Sequence, residues 1–161
     1  MEETIILQTQ SINIGYQSKK VSSLVAKAVS IALKKGKLTA LIGANGIGKS
    51  TLLKTITGIQ TPLEGDVLLH GKNIATYNVS DLSQEMSLVL TEKLPPSNLT
   101  VYELVALGRQ PYTNWTGTLT EEDKIQVERA LSLTQISHLA DKKHYQISDG
   151  QLQNVLIARA L

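Results

Sequence analysis

The stretch Gly43-Ala44-Asn45-Gly46-Ile47-Gly48-Lys49-Ser50 decides the fold of this chain of 161 residues. It fits the pattern G-x-x-x-x-G-K-[ST] at every fixed position, and in this pattern a glycine-rich loop joins a β-strand to an α-helix. Residues 38–42 before the loop form a short apolar run typical of a strand. After the loop, apolar residues recur at helical spacing at Leu52, Leu53 and Ile56. We therefore expect a strand, a loop and a helix in this order.

The residue types in this loop suit a nucleoside triphosphate. Glycines at 46 and 48 can adopt positive φ and turn their amides towards an anion at the start of the helix. Lys49 can reach the β- and γ-phosphates, and the Ser50 hydroxyl can bind Mg²⁺. The alternative is a glycine-rich turn followed by a surface lysine. The predicted phosphate-binding residues are Gly43, Ala44, Asn45, Gly46, Ile47, Gly48, Lys49, Ser50 and Thr51.

Composition favours a soluble protein and gives little support for a nucleic-acid partner. Sixteen basic and fourteen acidic side chains leave a net charge of +2, and the lysines occur in short, scattered groups. The chain has no cysteine, so it has no disulfide framework, which agrees with a reducing compartment. No apolar run reaches the roughly 18 residues that span a bilayer. We expect any membrane association to pass through another protein.

Strand patterns dominate the first half of the chain and helix patterns the second. Strands are predicted at residues 4–16, 21–33, 66–70 and 88–90, with a short helix near Asp81. Capping boxes begin helices at Thr100 and, in the same manner, at Thr120, and the first of these helices should end near Gly108. The pattern predicts an α/β protein with one core and a small subdomain.

A third capping box lies close to the end of the sequence. Ser148 and Gln151 form it, and a helix follows whose apolar face comprises Leu152, Val155, Leu156 and Ala160. Taken alone, this stretch is only a common way of starting a helix.

Together with the phosphate loop, this stretch resembles the signature motif of ATP-binding cassette (ABC) ATPases. The usual signature is Leu-Ser-Gly-Gly-Gln, followed by a helix that ends in an Ala-Arg-Ala-Leu-like run, and here the residues are Ile147 to Gln151 and then Ala158 to Leu161. The resemblance implies a P-loop NTPase fold with an N-terminal antiparallel β subdomain, a helical subdomain and an incomplete core sheet. It divides the chain into residues 1–92 (β subdomain and phosphate-loop core), 93–147 (helical subdomain) and 148–161 (signature helix).

In the family that this chain resembles, two cassettes pair head to tail around ATP. The resemblance implies that Ser148, Asp149, Gly150 and Gln151 face the γ-phosphate of ATP bound to a second copy. Asp149 departs from the usual glycine, and a carboxylate near a phosphate is unfavourable unless it points away. The resemblance implies a homodimer, and the departure at Asp149 makes the signature contact less secure than the phosphate loop.

Two further residues occupy positions with roles in the family. Tyr16 stands where the family places an aromatic ring that stacks on adenine, although a tyrosine at the end of a strand needs no such role. Glu92 aligns with the glutamine that contacts Mg²⁺ and relays the nucleotide state. Its carboxylate can bind a hard cation. Equally, Glu92 can be an exposed glutamate in a loop that binds no metal.

Residues 94–112 look like the ATPases of importers for iron-siderophore complexes, haem or cobalamin. The most specific part is Gly108-Arg109-Gln110-Pro111-Tyr112, which an ordinary helix end also explains residue by residue. The resemblance implies integral membrane permease subunits as partners, ATP and Mg²⁺ as ligands, and a peripheral position on the cytoplasmic face of the membrane.

The catalytic residues of the family are not found among these 161 residues. Hydrolysis there needs an aliphatic strand ending in Asp-Glu and a later histidine, and neither is present. The last helix ends without glycine or proline, which suggests a chain cut short. We expect nucleotide binding with little or no hydrolysis by these residues alone.

Two other functions stay open at this point. A soluble P-loop phosphotransferase or NTPase would use Glu92 as its Mg²⁺ carboxylate, and a nucleotide-binding fragment would be inert. The histidines favour none of these functions, since His70, His138 and His144 lack metal-ligand spacing and are expected at the surface or in turns.

Overall fold

The computed structural model describes residues 4–17, 22–90 and 97–161. The chain forms two compact units, Met1–Leu82 and Ser83–Leu161. The boundary expected between residues 92 and 93 lies within residues 91–96, outside the described part, and stays a prediction. Each unit is described below by itself.

The first unit is built around one long strand. Its strands are β1 (Ile5–Gln17), β2 (Ser22–Val29), β3 (Ala32–Lys34), β4 (Glu64–Leu69) and β5 (Lys72–Asn73). All pairings among them are antiparallel; the order is β2-β1-β4-β5, and β3 pairs with the first half of β1. On the covered face of the sheet, Ile12 and Ile14 of β1 are almost completely buried, as is Val67 of β4. The antiparallel β subdomain is thus confirmed.

The single strand predicted for residues 21–33 is interrupted. Ala28 has a φ of +53°, and the chain bends between β2 and β3. The Thr9 hydroxyl donates to the Val29 carbonyl at 2.9 Å and accepts from the Ile31 amide at 3.0 Å. This side chain replaces ladder hydrogen bonds at the bend, so two short strands form where the residue types alone indicate one.

Two other predicted strands are not formed. Residues 38–42 and 88–90 belong to no strand, and Leu38 and Ile42 are 100% and 90% exposed. A strand is stabilised by its neighbours rather than by its own residue types. Within the described ranges, no strand pairs with either segment.

The helix after the glycine loop is α1 (Lys49–Ile56), as predicted. It buries Thr51, Leu52, Thr55 and Ile56, whereas Leu53, expected on the apolar face, is 41% exposed. A short helix near Asp81 is also confirmed as α2 (Val79–Glu85), where the Asn78 side chain accepts from the Asp81 amide at 2.8 Å.

The second unit is built on three α-helices, α3 (Val101–Ala106), α4 (Glu121–Leu133) and α5 (Asp149–Ala160). The predicted capping boxes at Thr100, Thr120 and Ser148 are all present. The core of the unit is formed by apolar residues of the three helices and of the turns after α4: Val101, Leu104, Val105, Val127, Ala130, Leu131, Ile136, Leu139, Val155 and Ala158. Within the described part of the chain, no helix has the length and apolarity needed to cross a bilayer.

Two helix details differ from the sequence expectations. The α-helix α3 ends at Ala106, and the chain continues as a 3₁₀ helix over Leu107–Tyr112. In α5 the buried residues are Val155, Leu156 and Ala158, while Leu152 and Ala160 are only partly buried. Alanine is small enough for close helix packing, which is why Ala158 lies in the core although apolar periodicity did not indicate it.

Candidate functional site

The glycine-rich loop has the conformation that its sequence predicts. Gly46 and Gly48 have φ values of +81° and +107°, and Gly48 is the N-cap residue of α1. A Cβ atom at Gly48 would overlap the Val25 side chain, whereas one at Gly46 would meet nothing within 4 Å. Glycine is therefore required at 48 for both conformation and space.

The start of α1 is suited to an anion. Gly48 has no side chain to cap the first amides of the helix, and the first turn contains no acidic residue. The Gly48 carbonyl accepts the first intrahelical bond, from the Leu52 amide at 2.8 Å. Uncapped amides and the helix dipole together give this end of the helix a positive potential.

Lys49 places a positive charge directly against the loop. Its Nζ donates to the carbonyl oxygens of Gly43 and Ala44, each at 2.8 Å. The ammonium group is thus held by neutral acceptors, and a phosphate oxygen would be a stronger acceptor for the same N–H groups. Asn45 and Ile47 are exposed on the loop between these residues, as is Ser50 in the first turn of α1.

Tyr16 lies beside the same helix. Its hydroxyl is 3.1 Å from the Thr51 Oγ1. The structure thus brings together two residues that were both predicted to contact ATP. The contact joins positions 35 residues apart, and no local sequence signal indicates it. The Tyr16 side chain is 56% exposed and Thr51 is buried.

Ser148, Asp149, Gly150 and Gln151 lie at the start of α5 in the other unit. The Ser148 side chain accepts from the Gln151 amide at 3.3 Å, and the Gln151 Oε1 accepts from the Ser148 amide at 3.0 Å. Ser148, Asp149 and Gly150 are exposed, and nothing lies within 4 Å of a Cβ built on Gly150. The helix start is therefore accessible, while the Gln151 side chain is occupied in the cap.

A metal site can be assigned only in part. Glu92, the expected second ligand of Mg²⁺, lies outside the described residues. Within residues 4–17, 22–90 and 97–161, no group of three His, Cys, Asp or Glu side chains has the arrangement of a metal site. The exposed Ser50 hydroxyl at the helix start is a suitable donor for a hard cation that arrives with phosphate oxygens.

The Gly-Arg-x-Pro-Tyr element has internal partners in the helical unit. Arg109 Nε donates to the Asp123 Oδ1 at 3.0 Å, and its guanidinium lies 3.9 Å from the centre of the Tyr112 ring. A Cβ at Gly108 would overlap the backbone of Arg159. Arg109 thus joins the 3₁₀ segment to α4.

Asp123 is buried at the start of α4 and remains ionised. The Thr120 hydroxyl donates to its carboxylate at 2.7 Å, as does the Thr120 amide at 3.0 Å. These two bonds, with a smaller contribution from Arg109, hold the pKa of Asp123 below its usual value.

The three histidines lie at the surface or in turns, as expected. His70 and His138 are exposed. His144 begins a single 3₁₀ turn over His144–Gln146, where it is buried. Its Nδ1 is 3.5 Å from the Ser97 hydroxyl, its ring packs edge-on against Tyr145, and its amide donates to the Leu99 carbonyl.

Comparison with known proteins finds the same family along most of the chain. The family model described as ABC transporter matches residues 26–161. An uncharacterized ABC transporter ATP-binding protein of Methanocaldococcus jannaschii is 39% identical over 156 residues, which are 97% of this chain and 52% of that protein. The iron(3+)-hydroxamate import ATP-binding protein FhuC of Bacillus subtilis is 38% identical over 155 residues, 96% of this chain and 56% of the relative.

A solved structure of similar fold was also found. A nucleotide-free ATP-binding cassette from an ABC transporter superposes with a TM-score of 0.81 at 31% identity, covering 98% of this chain and 65% of that one. The chain spans about half the length of the two curated relatives it matches.

Proposed function

The chain belongs to the ABC transporter family, and on this premise we propose that residues 43–51 bind the triphosphate of ATP in the ATP-binding subunit of an importer. The observation that carries the proposal is the loop with positive φ at Gly46 and Gly48, which leads into a helix with no acid in its first turn. Amides at such a helix start hold phosphate oxygens without any side chain having to lose its water.

Lys49 supplies the charge for this step. In the structure its ammonium group donates to the two carbonyl oxygens of Gly43 and Ala44. When a triphosphate binds, the same N–H groups turn to the β- and γ-phosphate oxygens, and charge-assisted bonds replace neutral ones. Because the Lys49 ammonium group already lies against the loop, it has only a short distance to move from the carbonyl oxygens to the phosphate oxygens.

Ser50 and Glu92 are the proposed protein ligands of Mg²⁺. When bound, Mg²⁺ neutralises charge between the β- and γ-phosphates. The Ser50 hydroxyl lies exposed in the first turn of α1, where it can add an oxygen to that shell. The role of Glu92 rests on its alignment with the glutamine that contacts Mg²⁺ in the family.

The start of α5 is the proposed second phosphate contact, made to ATP on another copy of the chain. Its exposed Ser148 and Gly150, with open space at Gly150, support this proposal. Binding would therefore bring two copies together around the nucleotide. Opening and closing of such a pair is what would drive transport.

The proposed cargo is an iron chelate of the siderophore type, taken up through integral membrane permease subunits. The name of the hydroxamate-importing relative and the residues from Leu99 to Tyr112 support this class. The chain would then act at the cytoplasmic face of the membrane, bound to the permease. We predict little or no hydrolysis of ATP by residues 1–161 alone.

Substitution of Lys49 tests the nucleotide site. We expect Lys49→Ala to lower the affinity for Mg·ATP by roughly tenfold to a hundredfold, because charge-assisted hydrogen bonds to the phosphates are lost. Isothermal titration calorimetry measures the affinity. Lys54→Ala is the matched control, since it removes the same charge from the last turn of the same helix. Unchanged affinity in Lys49→Ala would falsify the assignment of the loop.

A further inference from the structure

The hydrogen bond between Tyr16 and Thr51 lies between the end of the β-sheet and the phosphate-loop helix. Tyr16 is the second-last residue of β1, and Thr51 is the third residue of α1. The two hydroxyl oxygens are 3.1 Å apart. Both residues belong to the first unit of the chain.

Thr51 is a fixed anchor for this bond. It is buried, with 6% of its surface exposed, and its carbonyl accepts from the Thr55 hydroxyl at 2.8 Å. Thr51 lies in the first turn of α1, two residues after Lys49 in the sequence. Its position is thus set by the same helix that presents the phosphate-binding amides.

The backbone around Tyr16 is also held in place. Tyr16 pairs with Ser23 and Gly15 pairs with Leu24 across β1 and β2. The Gln60 side chain donates to the Gly15 carbonyl. Because the main chain is fixed on one side and the hydroxyl on the other, the ring has little freedom to rotate. It nevertheless remains 56% exposed, so part of its surface is accessible to a ligand.

We propose that Thr51 is a positioning residue for the nucleobase, because its hydroxyl holds the half-exposed Tyr16 ring where a base can stack. The inference rests on the proposed nucleotide site and adds to it a source of selectivity for ligands that carry an aromatic base. Stacking on an aromatic ring favours any planar base, and a ring that is already oriented loses less freedom on binding.

The experiment compares ATP with inorganic tripolyphosphate, which has the phosphates but no base. The affinity of each ligand is measured by calorimetry in the presence of Mg²⁺, and the readout is the ratio of the two affinities. Any contact between Thr51 and a phosphate affects both ligands and cancels in the ratio. The proteins are the wild-type chain, Tyr16→Phe, Thr51→Val, Thr51→Ser and the double variant Tyr16→Phe/Thr51→Val.

We expect Tyr16→Phe and Thr51→Val each to lower the ratio by about threefold to tenfold, the effect of one hydrogen bond. The double variant should lower the ratio no further than either single variant, since both remove the same bond. Thr51→Ser keeps a hydroxyl and should restore the wild-type ratio. Tyr16→Phe changes a half-exposed side chain, so it tests the inference even where Thr51→Val disturbs the helix.

Three results would overturn the inference. An unchanged ratio in Tyr16→Phe means that the bond does not orient the ring. Equal losses for both ligands in Thr51→Val mean that Thr51 contacts phosphate only. Additive losses in the double variant mean that the two residues act separately. If the wild-type chain binds neither ligand, the proposed nucleotide site itself fails, and this outcome is distinct from the other three.

Discussion

At the scale of single residues, Gly46 and Gly48 share a positive φ and differ in their surroundings. Gly46 has open space around it, whereas Gly48 lies against the Val25 side chain of β2. A side chain at Gly48 would thus contact the sheet, and one at Gly46 would not. Substitutions at the two positions therefore separate the free energy of backbone strain from that of steric overlap.

Alanine at each glycine measures the two costs. We expect Gly46→Ala to lower the free energy of unfolding by about 1–2 kcal/mol, the strain of a Cβ atom in the left-handed region. Gly48→Ala should add roughly 1–3 kcal/mol to this, because its Cβ would overlap Val25. Urea denaturation followed by far-ultraviolet circular dichroism gives both values. Equal losses in the two variants would contradict the crowding at Gly48.

The identity of the loop residues could be predicted from sequence because the pattern is local. Eight consecutive positions fix the turn, the helix start and the lysine together. The bond between Tyr16 and Thr51 could not be predicted, since it depends on how β1 and α1 pack. The turn at His144 agrees with the sequence, but its burial depends on packing in the same way.

At the scale of elements, the starts of helices were predicted far better than the strands. Each capping box, at Thr100, Thr120 and Ser148, spans four residues. Both partners of its hydrogen bonds are therefore close in the sequence and can be recognised there. The strand expected at residues 38–42 needs neighbours that are distant in sequence, and its residue types alone do not provide them. The same holds for residues 88–90.

The start of α4 makes the helical unit sensitive to acid. Asp123 has a lowered pKa in the folded state, caused first by the hydroxyl of Thr120, so the folded state stabilises the ionised form. This contribution is complete above the ordinary aspartate pKa of about 3.9 and is lost as the pH falls through the lower, folded pKa. Glu103 in the box of α3 behaves in the same way, through the Thr100 amide.

We therefore expect the melting temperature of the protein to fall as the pH is lowered below about 5, towards the unfolded-state pKa values of Asp and Glu. Asp123→Asn should melt at a lower temperature near neutral pH, because Thr120 and Arg109 lose a charged partner. Its melting temperature should depend less on pH over the acid range. Thermal scans by circular dichroism between pH 3 and 7 provide the measurement, and parallel curves for the two proteins would contradict the assignment.

At the scale of the whole molecule, the two sets of residues proposed to bind phosphate lie on separate units. The glycine loop belongs to Met1–Leu82 and the start of α5 to Ser83–Leu161. In the proposed dimer each ATP is contacted by one unit of each copy. The two motifs could be recognised from the sequence, whereas the boundary between the units at Leu82 and Ser83 was not predicted. The share of the relatives' length that the chain covers came only from comparison.

The proposed dimer can be tested at Asp149, which carries a negative charge at the start of α5. We expect Asp149→Asn to strengthen ATP-dependent self-association by roughly fivefold, since one carboxylate is removed from the vicinity of a phosphate. Sedimentation velocity with and without Mg·ATP measures the association. Asp141→Asn, an exposed carboxylate outside α5, is the matched control. Weaker association in Asp149→Asn, or none in any of these proteins, would refute the pairing around ATP.

Residues 38–42 have a consequence for how the protein behaves in solution. Leu38 and Ile42 project almost entirely into water beside Leu41, which is 46% exposed. Such an apolar, strand-forming stretch is a site at which separate polypeptides adhere, and the net charge of +2 repels them only weakly. We therefore expect the five residues that lead into the phosphate loop to be a place where copies of these 161 residues aggregate.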